Sequence, residues 1–520
     1  MGIKSALKNS FFVGLLMKIK YFAENSFIFS ISLNKDKDSA GKEYRSWIQT
    51  SLSYSLLMQM DKLARTVEGH IYRGIRGSKF LGWTFKEDKG QTGSAEAGGI
   101  LGNSLIYKGF NRVLNSPKWT DLLMMLPVLY VAVDYVIRRL PVINRFGSVW
   151  DELLLLLMAG VFILKRIASG GRIKYNFGPM DLPVIIYIIM GISHVLIKAP
   201  DLGIAIEGFR SVFQHILWYF IATQYIRTVR DSERIIKVMM ALGLFLGLHA
   251  VYQYIVKVPM PGNWVDTAEN ITTRAFSIIG SPNILGVIFV LFIPIGVAMT
   301  LSAKKPIGRL YYGGVSLVML AGLLFTMSRG AWLAFAFAAG IFVIILVPKL
   351  IIPFAGLGGA FVLFGGALSD RLLYMLSPVY LMKSAAGGRL YRWNIGMEIW
   401  RRDTSFGMGL GRYGGAVAMN NNLTPFYLDN YYLKTLTEMG IYGMAALVFV
   451  IISFIVSTAK IIRSQTVLRY KVMVIGLFAG AMGVLAQNFV ENIFEVPAMI
   501  AYFWITVALI NTYSPTGEDE

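Results

Sequence analysis

Three sets of arginines stand where arginine is costly, and their surroundings indicate what chemistry they could do. Arg329 lies in TMSRGAWLAF, with apolar runs on both sides and almost no loop between them. A guanidinium near the membrane midplane costs about 2.5–3.5 kcal/mol on insertion scales, and less toward the edge. An arginine snorkelling to head groups lowers that cost, but enclosure in a tight hairpin beside Ser328 and Gly330 reads as a buried anion site. Arg274, in TTRAFSIIGSPNILG, precedes a helix start at Pro282 and Asn283, where free backbone N–H groups can meet an anion. On spacing alone, a solvated loop arginine fits there equally well. Arg389 and Arg392 are one helical turn apart and form either a two-guanidinium clamp or a plain solvated face. The guanidinium fork donates two parallel hydrogen bonds and stays charged, which suits phosphate.

The acid that would accompany them is in FYLDNYYLKTLTEMGIYG, where Asp429, Asn430, Tyr431 and Glu438 gather at the mouth of an apolar run. A carboxylate near arginines is what a general base for a hydroxyl looks like. Asp or Asn ahead of a helix also caps it, so one of the pair is expected to cap and the other to do chemistry. Arg412 sits among Gly407, Gly409, Gly411, Gly414 and Gly415, a run that must be loop. That run lacks the following helix and lysine of a nucleotide-binding loop. His194, His215 and His249 are scattered without metal-ligand spacing, and no carboxylate pair suits a divalent ion, so neither metal nor cofactor is expected. The absence of cysteine excludes disulfides, thiol nucleophiles and thiolate metal sites.

Membrane helices must position these groups. The chain is 55% hydrophobic and 15% charged, with a mean hydropathy of +0.56, too apolar for a soluble protein of this length. From about residue 121 the apolar residues form uncharged blocks of the length that spans hydrocarbon, where the backbone must bond to itself as helix. The reading is all-α and polytopic, with about twelve spans near 121–138, 150–166, 180–197, 210–227, 235–256, 283–301, 309–327, 330–348, 350–367, 431–457, 471–489 and 496–512. Four basic loops, around Lys165–Lys174, Arg227–Lys237, Lys304–Arg309 and Lys460–Lys471, share one side if both termini are cytoplasmic. Arg138, Arg139 and Arg145 then lie on the other side, against the rule. The net charge of +20 fits loops facing anionic lipid, and nucleic acid is not expected.

The interval 369–430 becomes a large outer loop, with seven Lys/Arg against four Asp/Glu, a net of +3 on the face that should be poor in positive charge. An anionic ligand outside accounts for that excess. Within it, 388–403 is expected to be an amphipathic helix with Leu390, Trp393, Met397 and Trp400 on one side and Arg389, Arg392 and Glu398 toward the other. Residues 1–120, with 18 Lys/Arg against nine Asp/Glu, form a separate basic region against the inner leaflet. It holds a surface helix at 11–33 and a Gly/Ser-rich linker at 73–104. Residues 513–520 form an acidic tail.

In this order, RAFSIIGSPNILG (274–286), TMSRGAWLAF (326–335), GRLYRWNIGMEIW running into FGMGLGRYGG (388–415) and DNYYLKTLTEMGIYG (429–443) resemble the bacterial O-antigen polymerase and O-antigen ligase superfamily. The likeness covers roughly 180–512. It implies a GT-C-like, metal-independent glycosyltransferase of the bacterial cytoplasmic membrane. Its donor and acceptor would be polyprenyl-diphosphate-linked oligosaccharides, and a flippase and a chain-length regulator would be partners. It also implies that Arg274 and Arg329 hold the donor diphosphate; Asp429 is then expected to be the base, and Asn283, Arg389, Arg392, Arg412, Asn430, Tyr431 and Glu438 are expected to bind substrate. Ligases of this kind usually carry histidine where this chain has Asp429, a departure that fits the polymerase branch better. A transporter of the same lipid-linked glycan is the rival class, but no internal repeat supports it.

Overall fold

The computed structural model describes residues 52–77, 117–168, 172–259 and 273–514. Among these, every regular element is helical. The first group is α1 (Leu52–Gly77), α2 (Pro117–Val128), α3 (Tyr130–Arg139), α4 (Trp150–Ala168), α5 (Asp181–Ile197), α6 (Leu202–Phe213), α7 (Leu217–Tyr225) and α8 (Val229–Ile255). There follow α9 (Pro282–Ser302), α10 (Pro306–Phe325), α11 (Arg329–Leu346), α12 (Ile351–Phe364), α13 (Ala367–Tyr374) and α14 (Pro378–Ala385). The last are α15 (Arg389–Arg402), α16 (Ala416–Asn420), α17 (Tyr431–Ser464), α18 (Leu468–Gln487) and α19 (Pro497–Asn511).

Six of the described helices (α8, α9, α10, α11, α17 and α18) are long and apolar enough to cross a membrane, and a seventh span exists if the bent pair Pro348–Leu363 and Leu368–Tyr374 is counted as one. This is consistent with a polytopic membrane protein, but it is half the expected twelve spans. The other apolar blocks are broken or short. The 121–138 block splits between α2 and α3 just after Pro127, because proline removes a helix N–H and clashes with the preceding turn. A 3-10 turn at Gln214–Ile216 divides the 210–227 block. The 350–367 block bends by 90° around Gly365 and Gly366. α5 and α19 have only 17 and 15 residues, and α4 carries Asp151, Glu152, Lys165 and Arg166 at its ends.

The core is built around α9, which packs against α18, α10 and α11 and is buried along most of its length. The fit depends on glycine in α18. A Cβ at Gly480 would lie 2.3 Å from the Leu291 carbonyl oxygen, and one at Gly476 would lie 2.8 Å from that of Pro294. Small residues let the two backbones touch, the usual basis of helix association in lipid. α17 is interrupted at Gly440 (φ +62°). There Met408 and Gly409 donate backbone N–H bonds to the Thr437 and Glu438 carbonyls, and Ile441 donates to that of Thr404.

The four basic loops do gather at one end of the bundle. Ser302 Oγ donates to the Arg469 carbonyl at 3.2 Å, Arg469 pairs with Glu233, and Arg227 Nη2 donates to the Lys174 carbonyl at 3.2 Å. Within the expected linker at 73–104, Arg73–Gly77 instead complete α1. The rest of that linker, the surface helix at 11–33 and the tail beyond 514 lie outside the described residues.

Candidate active site

At the other end, α9, α11 and α17 begin, and every one of these starts carries or adjoins a candidate site residue. The segment before α9 is fixed by its backbone. Ala275 N–H donates to the Phe325 carbonyl at 2.8 Å, and the Phe276 and Ser277 N–H groups donate to Gln253 Oε1 at 3.0 and 2.7 Å. Ser281 caps α9 by accepting from Ile284 N–H. Arg274 is thereby aimed so that Nε donates to the Thr326 carbonyl at 2.9 Å and Nη2 to Asn283 Oδ1 at 3.0 Å.

Thr326–Ser328 is the whole connection between α10 and α11, with Met327 in the left-handed region (φ +52°). This tight turn sets Arg329 on the first residue of α11, its guanidinium 4.9 Å from the Tyr380 ring centre and 5.7 Å from that of Tyr374. Arg371 Nε reaches back to the Met327 carbonyl at 2.8 Å, tying the 369–430 interval to the same turn.

α15 forms as expected. A Cβ at Gly396 would meet Leu428 and Leu433 at 3.3 and 3.4 Å, so the small face rests nearest α17 and brings Arg389 and Arg392 inward, while Leu390 is exposed. Close approach between helices, rather than the aromatic stripe, decides the orientation. Trp393 Nε1 donates to the Leu428 carbonyl at 3.1 Å. Arg392 Nη1 donates to Asp429 Oδ2 at 2.8 Å and to the Tyr427 carbonyl at 3.2 Å. Arg389 lies between two acids, with Nε 3.9 Å from Asp429 Oδ2 and Nη2 3.5 Å from Glu491 Oε1. Asn283 Nδ2 donates to that same Glu491 oxygen. One polar chain thus runs from Arg274 through Asn283, Glu491 and Arg389 to Asp429 and Arg392.

Three guanidiniums therefore meet two carboxylates, Arg329 lies near enough to act on Arg274 through its charge, and helix N-termini add positive potential. Burial lowers the Arg274 pKa to about 10, Glu491 opposes the shift, and Arg329 and Arg389 add to it; it stays charged at neutral pH. Burial raises the Asp429 carboxyl against the pull of Arg389 and Arg392. Burial, then the charge of Asp429, pushes Glu491 up to about 7. These shifts hold one acid ready to take a proton near neutral pH.

Below the cluster an apolar groove of about 700 Å³ opens between α11 and α17 over α18, lined by Gly330, Phe337, Tyr432, Val448, Leu485 and Phe489. Its polar mouth and apolar body match an amphiphile with a charged head.

Sequence reasoning missed Glu491. It lies in NFVENIFE between two apolar blocks, and an even number of crossings after Asp429 would have placed it at the same end. The structure brings Arg274, Arg329, Asn283, Arg389, Arg392 and Asp429 together and sets the remaining expected residues elsewhere. Asn430 caps α17, accepting from Leu433 N–H at 3.0 Å. Tyr431 is buried with its hydroxyl 3.3 Å from that of Tyr187. Glu438 is buried, pairs with Lys434 and accepts Tyr413 N–H at 3.0 Å. Arg412 is half-buried beside Gly409. Among the described residues no group of three or more His, Cys, Asp or Glu could hold a metal ion.

Comparison with curated proteins gives no match. Residues 314–448 match a family described as O-antigen ligase. That stretch spans Arg329, the whole 369–430 interval and Asp429, leaving Arg274 and Glu491 on either side. The match covers about a quarter of the chain and supports the resemblance to the O-antigen polymerase and ligase superfamily drawn from the motifs.

Proposed function

We propose that the protein polymerises polyprenyl-diphosphate-linked oligosaccharide repeats into a surface polysaccharide at the outer face of the bacterial cytoplasmic membrane. The observation that carries this reading is the arginine–carboxylate cluster seated at the head of an apolar groove. In this reading the groove takes the isoprenoid chain, and Arg274 and Arg329 face the diphosphate. Both termini are cytoplasmic, since the basic loops share the end away from the cluster.

The donor is a growing glycan on its lipid diphosphate, and the acceptor is a hydroxyl of a second lipid-linked repeat. The acceptor oxygen bonds to the anomeric carbon as the bond from that carbon to the diphosphate breaks. The hydroxyl proton passes to Asp429, and the departing negative charge is met by Arg274 and Arg329. Fixed charges aimed at a developing anion in a site of low dielectric supply the largest share of such catalysis. Arg389 and Arg392 hold Asp429 and face the acceptor. A flippase would supply the repeats and a chain-length regulator would act on the product.

Transfer of the glycan to a protein or lipid acceptor is the second reading, favoured by the description of the matching family as a ligase. Purified protein given lipid-linked repeats, without nucleotide and in the presence of a chelator, tests both. A ladder lost in Arg329→Ala and Asp429→Ala supports the polymerase. A single shift of an added protein or lipid acceptor, with no ladder, replaces it with the ligase. No new glycosidic bond under any condition overturns the transferase reading and leaves a transporter.

A further inference from the structure

α1 is a helix with three faces. At about 100° per residue, Asp61, Arg65 and Glu68 share one side, and this side docks on the bundle. The guanidinium of Arg166, in the last turn of α4, lies 3.0 Å from Asp61 Oδ1 and 2.9 Å from Glu68 Oε2. Arg65 holds Asp61 from the same helix at 2.9 Å. Asp61 and Arg166 are 6% and 5% exposed, so this is an enclosed polar joint. The second face is Met60, Leu63, Val67 and Ile71, at 60%, 67%, 50% and 43% exposure. The third is Lys62, Thr66, His70 and Arg73, all exposed. The three faces are roughly 120° apart.

A helix lying on a protein in water normally buries its apolar side and shows its polar side. α1 does the reverse, docking through charge and turning its apolar stripe outward. The helix it rests on shows where that stripe goes. α4 exposes Leu153, Leu156, Leu157 and Ile163, an apolar flank of the kind that faces lipid, and Arg166 is in the turn where α4 ends. A helix pinned at that level, with one face on the bundle, one apolar and one polar, fits the boundary between acyl chains and water.

We propose that α1 lies in the head-group layer of the membrane. Met60, Leu63, Val67 and Ile71 touch acyl chains, Lys62 and Arg73 face acidic head groups, and Arg166 sets the depth. The occupant of the apolar face is the lipid leaflet itself, continuous with the apolar flank of α4.

The chain has no cysteine, so single-cysteine labelling needs no background removal. Full-length Leu63→Cys, Val67→Cys and Thr66→Cys variants would each carry an environment-sensitive fluorophore. They would be placed in nanodiscs of phosphatidylethanolamine and phosphatidylglycerol. Brominated lipid should quench the labels at positions 63 and 67 several-fold more than the label at 66, and aqueous iodide should show the opposite order. Iodide reaching all three equally overturns the proposal. So does protection of positions 63 and 67 from both quenchers, which would mean that protein covers the stripe. Adding Arg166→Met to Leu63→Cys should reduce quenching by lipid, and quenching kept in full would overturn the role given to Arg166.

Discussion

Two clusters that pair basic with acidic side chains lie close together in this molecule and differ in how far the fold encloses them. In the first, Lys434 Nζ is bonded to Glu438 and lies 3.0 Å from Glu495, while Glu438 also accepts the Tyr413 N–H and Asn492 reaches the Gly414 carbonyl. The side chains of Lys434, Glu438 and Glu495 are 2–5% exposed. In the second, Arg389, Arg392, Asp429 and Glu491 pair more loosely, and their side chains keep 17–30% exposure. The closed cluster has its partners inside the fold and locks the glycine loop onto α17. The open one presents paired charges that a ligand can compete for. In the proposed reading, incomplete enclosure rather than charge alone marks the site.

The contrast is most sharply tested by removing one partner from the closed cluster. Glu438→Ala leaves Lys434 enclosed without its closest acid, and breaking a buried pair costs about 3–5 kcal/mol. A large drop in melting temperature in detergent is expected, with activity lost only in step with folded protein; an unchanged melt would mean the cluster is not structural. In the open cluster the order should invert. Arg329→Ala is expected to lower turnover about a hundred- to a thousandfold, the usual effect of removing one oxyanion donor, with a melt close to that of the parent.

Asp429→Asn should lower turnover by about a hundredfold, the lower range for a lost general base, again with the fold intact. Full activity in that variant would remove Asp429 from the proton transfer. The smallest effect belongs to Glu491. Its folded pKa of about 7 lies above the ordinary 4.5, so the folded protein holds a proton that the unfolded chain releases. Its contribution to stability is complete below about pH 4.5 and is lost as pH rises through 7, and Asp429 adds a slope of the same sign. Melting temperature should fall from pH 5 to 8 by this contribution, and Glu491→Gln should flatten the fall. An identical slope in that variant would place the titration elsewhere.

Arg329 stood out because charge is costly beside apolar runs, whereas the flanks of Arg274 fitted a solvated loop arginine equally well. Asp429 was legible because it precedes a long apolar run in company with Asn430, and Asn430 proved to be the cap. Glu491 was hidden because a six-residue link between apolar blocks looks like an ordinary turn. Lys434 was hidden inside an apolar run, and only its spacing of four from Glu438 hinted at a partner. Hydropathy counted more spans than the six long apolar helices among the described residues because it is blind to geometry, as at Pro127 and at the bend around Gly365 and Gly366. The facing of α15 was left open by the sequence, because side-chain polarity gives no measure of how closely two backbones can approach, which Gly396 decides.

The break at Gly440 divides α17 into a short stub behind Asp429 and a long shaft. The stub is stitched to 404–409 through the Thr437 and Glu438 carbonyls, and Ile441 N–H closes the joint on the Thr404 carbonyl. One residue added to an unbroken helix would rotate everything beyond it by about 100°. Here an insertion deeper in the shaft leaves the stub in its own setting. Span length can therefore drift to suit membranes of different thickness without re-aiming the acid.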